Sequence, residues 1–380
     1  MMAPDMLDHV LGHIDRRTRN IFGGYALAFV LVALTVLLDL PPLVRFGAAV
    51  IALAGGAVAV GEATERLAHR LSPAATGVVQ SVLGNLPELF LSIFALQAGL
   101  NQVVAAALVG SVLGNALFVL GLAILVGGLR HGKLKFSAAA NRLYATELLL
   151  GSAALIVPFL ATQPGAPDFG HANELSAIVS VVLLVVFAAS VPISLRLSEA
   201  GPGTTPDSIA LEVDQPRDPH ATTPSLQSTL ILLGGSAASA AFVADWFVDA
   251  LEPSMAAFGM SEAFAGLIVV ALAGNAVEHL AGVTAAAKNR ADLSLSLILN
   301  SALQIVLFLV PVIVLLSFLV APVPLTLILS PLLLGSLVVT VILVFVIVAD
   351  GEANAIEGAM LLGLYAIIAA AVWWGPPIPA

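Results

Sequence analysis

Eleven apolar runs follow one another between residues 21 and 374, each near the ~20 residues that a helix needs to cross a bilayer. Inside hydrocarbon the backbone has no water to bond, so runs of this kind are stable only as helices that satisfy their own N–H and C=O groups. The runs lie at about 21–39, 43–70, 74–97, 101–128, 139–162, 174–196, 226–252, 261–287, 292–318, 325–349 and 354–374. The chain is 59% hydrophobic and only 10% charged, against about 25% charged in ordinary soluble domains. The reading is an all-α polytopic membrane protein with 11 transmembrane helices, its partner the lipid bilayer. Cysteine is absent, which excludes disulfides, thiolate zinc sites and cysteine catalysis. A net charge of −10 argues against nucleic acid as a partner. The first twenty residues are polar and mixed in charge, without the layout of a signal peptide, so the first apolar run reads as retained.

The basic residues test the count. With the N-terminus inside, the inner segments hold Arg16, Arg17, Arg19, Arg66, Arg70, Arg130, Lys133, Lys135, Arg142, Arg196, Arg217, Lys288 and Arg290, and the outer ones only Arg45. That split obeys the positive-inside rule and puts the C-terminus outside. A short compact chain of this kind suits a prokaryotic inner membrane. One extra helix (residues 1–42) then precedes two five-helix repeats, 43–196 and 226–380. Five is odd, so the repeats have inverted orientations, an architecture common in transporters whose substrate sites lie near the midplane. The connector 197–225 carries five prolines and five acids against Arg217 and reads as a solvated cytoplasmic tether.

One short phrase occurs in both repeats, as Gly84-Asn85-Leu86-Pro87-Glu88 and as Gly274-Asn275-Ala276-Val277-Glu278. Glu88 is followed 23 residues later by Ser111, and Glu278 by Ser301 at the same interval. Each serine opens a polar pair, Ser111 with Asn115 and Ser301 with Gln304. Residues three or four apart share a helix face, so Asn85 projects with Glu88, and Asn275 with Glu278 and His279. Intramembrane acids are costly and functional by default, and two at matching places imply one shared cation site. Pro87 lacks an N–H, which leaves the carbonyl of Leu83 available to a ligand. In the second repeat Gly274 would have to supply a comparable distortion.

Calcium takes six to eight oxygen ligands in flexible geometry, including carboxylates, amides and backbone carbonyls. Glu88 and Glu278 would neutralise its charge, and they are the metal-binding candidates. Manganese suits the same donors; a transition-metal site would favour several His or Cys. Protons are the alternative occupants, since burial favours the neutral form of a carboxyl group. Mutual exclusion of calcium and protons at one site is the logic of an exchanger. Calcium is then a transported substrate, and no cofactor is implied.

From Gly61 to Gly128 and from Ala244 to Phe318 the chain resembles the CAX family of calcium/proton exchangers, within the larger cation/calcium exchanger superfamily. The residues that carry this are Gly274-Asn275-Ala276-Val277-Glu278-His279, Lys288-Asn289-Arg290-Ala291-Asp292-Leu293-Ser294-Leu295 and Gln304-Ile305. Thr64-Glu65, the Gly84-Asn85…Glu88 element, Asp350-Gly351-Glu352 and Glu357-Gly358 add to them. The resemblance implies an eleven-helix fold with Glu88 and Glu278 as central carriers of calcium and protons. Leu86-Pro87-Glu88 departs from the usual CAX pattern toward the sodium/calcium exchanger branch, and Asn300 and Gln80-Ser81 are further departures.

His279 is either a proton relay, its ordinary pKa lying near neutrality, or a packing histidine. The serines, Asn115 and Gln304 are either ligands or interhelical hydrogen-bonding groups. Glu62 and Glu65 belong to an interfacial salt-bridge cluster with Arg66 and Arg70 or to an ion-entry vestibule. Asp245 and Asp249 would line the opposite vestibule. Glu147 pairs with Arg142 or shapes the site. These features favour a secondary-active calcium/proton antiporter rather than an enzyme, with a sodium/calcium exchanger as the nearest alternative and a cation channel as a more remote one.

Overall fold

The computed structural model describes residues 16–68, 70–71, 79, 81–166, 169–199 and 225–374. The tether is therefore largely outside the described residues, as are Gln80 and much of the start of the third apolar run. Among the described residues, besides the helical stretch 81–84, twelve helices follow in order: α1 Arg16–Leu37, α2 Pro42–Ala68, α3 Leu86–Gln97, α4 Asn101–His131, α5 Ala138–Ala161, α6 Ala172–Glu199, α7 Leu226–Phe258, α8 Glu262–Gly274, α9 Ala276–Ala287, α10 Ala291–Val320, α11 Pro331–Val348 and α12 Ala355–Trp373. The chain is an all-α polytopic membrane protein. Among the described residues nine helices are long and apolar enough to span a bilayer, and the α8–α9 pair, bent by 67°, would make a tenth. α3, twelve residues long, is the described end of the third apolar run.

The tenth run departs from its expected start. Residues 321–330 are irregular and the helix begins only at Pro331. Pro322 and Pro324 have no N–H to give a helix. Leu325, Leu327 and Leu329 are nonetheless buried at alternate positions, as in an extended segment. Side chains supply the missing backbone partners: Leu325 N–H donates to Ser317 Oγ (2.8 Å), Leu327 N–H to Ser176 Oγ (2.9 Å), and Asn101 Nδ2 to the Val323 carbonyl (2.9 Å). Ser330 then caps α11 by accepting from Leu333 N–H, with Pro331 in the first turn where a missing donor costs nothing.

Packing divides the chain into two compact units, one of Met1–Leu91 and Asp207–Ser254, the other of Ser92–Pro206 and Met255–Ala380. In the first, the Tyr25 ring of α1 lies over Gly55 and Gly56 of α2, where a Cβ on Gly56 would come within 3.1 Å of the Tyr25 Oη. Val60 and Ala63 of α2 form a small core with Leu233 and Ala240 of α7. Phe46 stacks near Phe247 with centroids 5.3 Å apart.

In the second unit, α4 is the most enclosed spanning helix, packed against α8, α9, α10 and α12. At the α4–α8 crossing the glycines are reciprocal: a Cβ on Gly110 would strike the Leu267 backbone, and one on Gly266 would strike Val103 O and Ala107 N. One end of this unit is tied by its loops. Strands β1 (Leu134–Lys135) and β2 (Glu352–Ala353) pair antiparallel, Leu134 opposite Ala353. Phe136 N–H donates to Gly351 O (2.9 Å), Ser137 N–H to Asp292 Oδ1 (2.6 Å), and Lys133 pairs with Glu352. The Glu352 carboxylate raises the exposed Lys133 ammonium above its ordinary pKa, so that ammonium stays charged at neutral pH.

Candidate cation site

Both copies of the repeated motif interrupt a helix, and both do so at the asparagine. Residues 81–84 are helical, Asn85 is a turn and α3 starts at Leu86; α8 ends at Gly274, Asn275 is a turn (φ −98°, ψ 15°) and α9 starts at Ala276. In each copy the asparagine carbonyl accepts the first bond of the new helix, from Leu89 N–H (3.0 Å) and from His279 N–H (3.2 Å). In each its amide reaches back one turn, Asn85 Nδ2 to Ser81 O (2.8 Å) and Asn275 Nδ2 to Ala271 O (2.9 Å). The distortion assigned to Gly274 therefore belongs to Asn275. Pro87 is not the breaking residue either: it lies in the first turn of a helix that Asn85 has already restarted, where proline is tolerated. Leu83 lies in the turn before that break and its side chain packs against the α2–α7 core. Glu88 and Glu278 stand at equivalent places in the first turns of α3 and α9.

An Asn-x-x-Glu sequence at a helix start ordinarily reads as a capping box. Asn354 and Glu357 form one in full at α12. Asn275 and Glu278 do not, since Asn275 makes no side-chain cap bond. Their polar atoms turn to neighbouring helices instead. Asn275 Nδ2 donates to Ser111 Oγ of α4 (3.1 Å), and the Ser301 hydroxyl of α10 donates to Glu278 Oε2. Asn115 Nδ2 of α4 donates to Ser301 Oγ (3.1 Å) and to Ser111 O (3.1 Å). The second unit thus gathers Ser111, Asn115, Asn275, Glu278 and Ser301 into one polar cluster among apolar helices. With both amide nitrogens committed, Asn115 Oδ1 and Asn275 Oδ1 are the leftover atoms, buried and without a hydrogen-bond partner. An unpartnered buried carbonyl oxygen is costly, and two in one cluster are what a desolvated cation would use.

Two π-helical turns border the cluster, Gly114–Val119 around Asn115 and Ile305–Leu309 just after Gln304. Such turns shift the facing of all later residues and recur at functional sites; their apolar sequences give no warning of them. Gln304 is half-buried. His279 follows Glu278, its Nε2 buried without a partner and its ring edge-on to Phe118 at 6.4 Å, which in turn lies 5.4 Å from Tyr365.

In the first unit, Asn85 and Glu88 are buried. Glu62 accepts from Thr18 Oγ1 (2.6 Å) and Arg66 Nε (3.3 Å), and Arg17 lies 3.9 Å away. Glu65, one helical step on, is partly buried. Asp245 and Asp249 lie one turn apart on α7, Asp249 exposed and Asp245 partly so. In the second unit the Arg142–Glu147 pair, one of the two alternatives for Glu147, is not formed: Arg142 Nη2 donates to the Ala349 carbonyl (2.6 Å), which draws the guanidinium toward the loop end.

The sequence pattern of the family described as sodium/calcium exchanger protein matches residues 41–196 and 228–374, most of both repeats. The chain belongs to this family. A "Ca(2+)/H(+) antiporter" of Synechocystis sp. is 35% identical over 328 residues, covering 84% of this chain and 88% of the relative. The "Ca(2+)/H(+) antiporter ChaA" of Bacillus subtilis is 32% identical and covers 90% and 97%. Among solved structures, native YfkE superposes with a TM-score of 0.77 at 28% identity, over 93% of this chain and 99% of that one. The family membership accords with the resemblance read from the repeated motifs.

Proposed function

We propose that this chain is a secondary-active antiporter that exchanges calcium for protons by alternating access. The observation that carries the reading is the α4–α9–α10 cluster. A carboxylate and two unpartnered amide oxygens, those of Asn115 and Asn275, stand together inside membrane helices. The names of relatives that match most of the chain support the choice of ions. In this reading Asn115, Asn275 and Glu278 give oxygens to the cation, while Ser111 and Ser301 orient them. Gln304 borders the cluster. Asn85, Glu88 and the Leu83 carbonyl do the corresponding work for the first repeat. A divalent ion requires two negative charges to be neutral, and the motif supplies one per repeat, Glu88 and Glu278. Calcium fits donors of this hard, mixed kind, and manganese fits them too. When the metal leaves, protons neutralise the same acids, so the two cargoes exclude one another. His279 is proposed as the relay that passes protons to Glu278; Glu62, Glu65, Asp245 and Asp249 are proposed to line the approaches. In a prokaryotic inner membrane with the N-terminus inside, an inward proton gradient would drive calcium out.

Proteoliposomes test this directly. Calcium flux should follow an imposed pH gradient and saturate with calcium. Glu88→Gln and Glu278→Gln should each abolish exchange, because a neutral side chain can neither balance calcium nor give up a proton. Flux indifferent to the gradient would refute the coupling. Leu86-Pro87-Glu88 favours a second reading, sodium/calcium exchange; flux that stops when choline replaces sodium would establish it instead.

A further inference from the structure

Another acid within a candidate spanning helix takes no part in the cluster described above. Glu147 is carried by α5, about 14 Å along the helix from its first residue at 1.5 Å per residue. Its depth follows from two contacts with α10, one from Ser137 just before α5 and one from Gly151 within it. Ser137 N–H bonds Asp292 Oδ1, 155 residues on. A Cβ on Gly151 would meet Val306, at the same offset, at 2.9 Å. The helices thus run parallel in constant register, and Glu147 stands level with Ala302, beside Ser301. One turn to either side of it, Leu143 and Leu150 are 48% and 67% exposed, while Gly151 faces α10. Glu147 therefore sits where the lipid-facing stripe of α5 meets the α10 contact.

Nothing compensates a charge there. Among the described residues no group hydrogen-bonds or ion-pairs with Glu147. Of the helices packed on α5, α11 contains no titratable residue. α10 offers only Asp292, at its start and bonded to Ser137, and the described side chains of α6 offer only Glu174, in its first turn. On α5 itself, Arg142 is engaged with Ala349 O, and Tyr144 is the only other titratable neighbour. A lone carboxylate in hydrocarbon is the costly form and the neutral acid the tolerated one.

We propose that Glu147 is a proton-binding site, open to the bilayer at the depth of the cation cluster, that holds its proton without competing with calcium. It is distinct from Glu88 and Glu278, whose proposed protons calcium displaces. Its effect on transport, the part of this inference that rests on the proposed exchange, is to set the pH profile and not the ion affinity.

The test uses the full chain in proteoliposomes and the membrane-soluble reagent dicyclohexylcarbodiimide. The protonated carboxyl gives its proton to one carbodiimide nitrogen while its oxygen adds to the central carbon. The O-acylisourea then rearranges to an N-acylurea, so the adduct contains both reactants entire and nothing leaves. Peptide mass spectrometry should find the adduct on Glu147. Its yield should be unchanged by excess calcium and fall severalfold as the pH is raised, since only the protonated form reacts. No adduct at any pH, or an adduct that calcium suppresses, overturns the proposal. In flux assays Glu147→Gln should shift the pH optimum by about one unit with the calcium KM unchanged, and Glu147→Asp should restore the wild-type profile. An unshifted optimum overturns the transport role. The labelling result needs no variant and no exchange activity, so failure of the exchange reading is distinguishable from failure of this one.

Discussion

The three Asn-x-x-Glu sequences of this chain separate folding chemistry from site chemistry at the scale of single residues. Asn354 and Glu357 spend their polar atoms on each other's backbone, as a cap should. Asn275 and Glu278 spend theirs on Ser111 and Ser301 of other helices. Substitutions at the two places should therefore fail differently. Asn354→Ala removes a cap and should cost about 1 kcal/mol of stability, seen as a small drop in Tm in detergent, with calcium uptake per folded molecule unchanged. Asn275→Ala removes a proposed ligand and the bond that positions Ser111. It should raise the calcium KM about tenfold, equivalent to ~1.4 kcal/mol, at a Tm near wild type. Saturation uptake curves beside thermal melts check both; equal effects on Tm and KM in the two variants would remove the distinction. The glutamates and asparagines were legible in the sequence because their repetition is a pattern in one dimension. The oxygens left unpartnered were not, since which amide atom is spent depends on helices more than 150 residues apart.

Helix crossings set where those residues can stand. Gly110 immediately precedes Ser111, and Gly266 lies in the π turn Ala265–Val270 of α8, the helix that ends at the Asn275 break. Their mutual approach brings backbone against backbone, with a Cβ on Gly266 landing 2.9 Å from Ala107 N. Backbone cannot yield as a side-chain tip can, so Gly266→Ala or Gly110→Val should cost roughly 1–3 kcal/mol or more by overpacking. Both should also part Asn275 from Ser111 and depress uptake. Gly363 of α12 has open space where its Cβ would go. Gly363→Ala should be neutral or stabilise by up to ~1 kcal/mol through helix propensity. Thermal melts of the three variants, ranked in that order, check the argument. Sequence alone marks Gly84 and Gly110 alike as small residues; only the crossing separates them, for Gly84 has no neighbour within 4 Å of its Cβ position. The irregular start of the tenth run, residues 325–330, was hidden for a related reason, because hydropathy registers its apolar content and not that Ser330, immediately before Pro331, is held in an extended conformation.

Counting crossings predicts one orientation for the whole chain. The loops after α4 and after α9 are bonded together, through His131 Nε2 on Ala287 O (3.0 Å) and Ser137 on Asp292. They must lie on one face, so an even number of crossings separates them. α5, α6 and α7 are each long and apolar enough to span a bilayer, and the proline-rich acidic sequence between α6 and α7 is too polar to add a crossing. With those three crossings, the bent α8–α9 pair is expected to cross once, as a broken span and not a re-entrant loop. α10 and α11 add two more crossings before β2, which pairs with β1 and closes the count on the same face. That face carries Lys133, Lys135, Arg142, Lys288 and Arg290, for which the positive-inside rule predicts a cytoplasmic location. The natural absence of cysteine allows a clean check. Lys288 is exposed on the bonded face, and Val323, 65% exposed, lies one crossing away beyond α10. In intact cells a membrane-impermeant maleimide should label Val323→Cys, and label Lys288→Cys only after permeabilisation. Both positions reacting from the same side would mean that α10 does not cross. Reversed labelling would turn the exchanger over and, with it, the side from which calcium is captured.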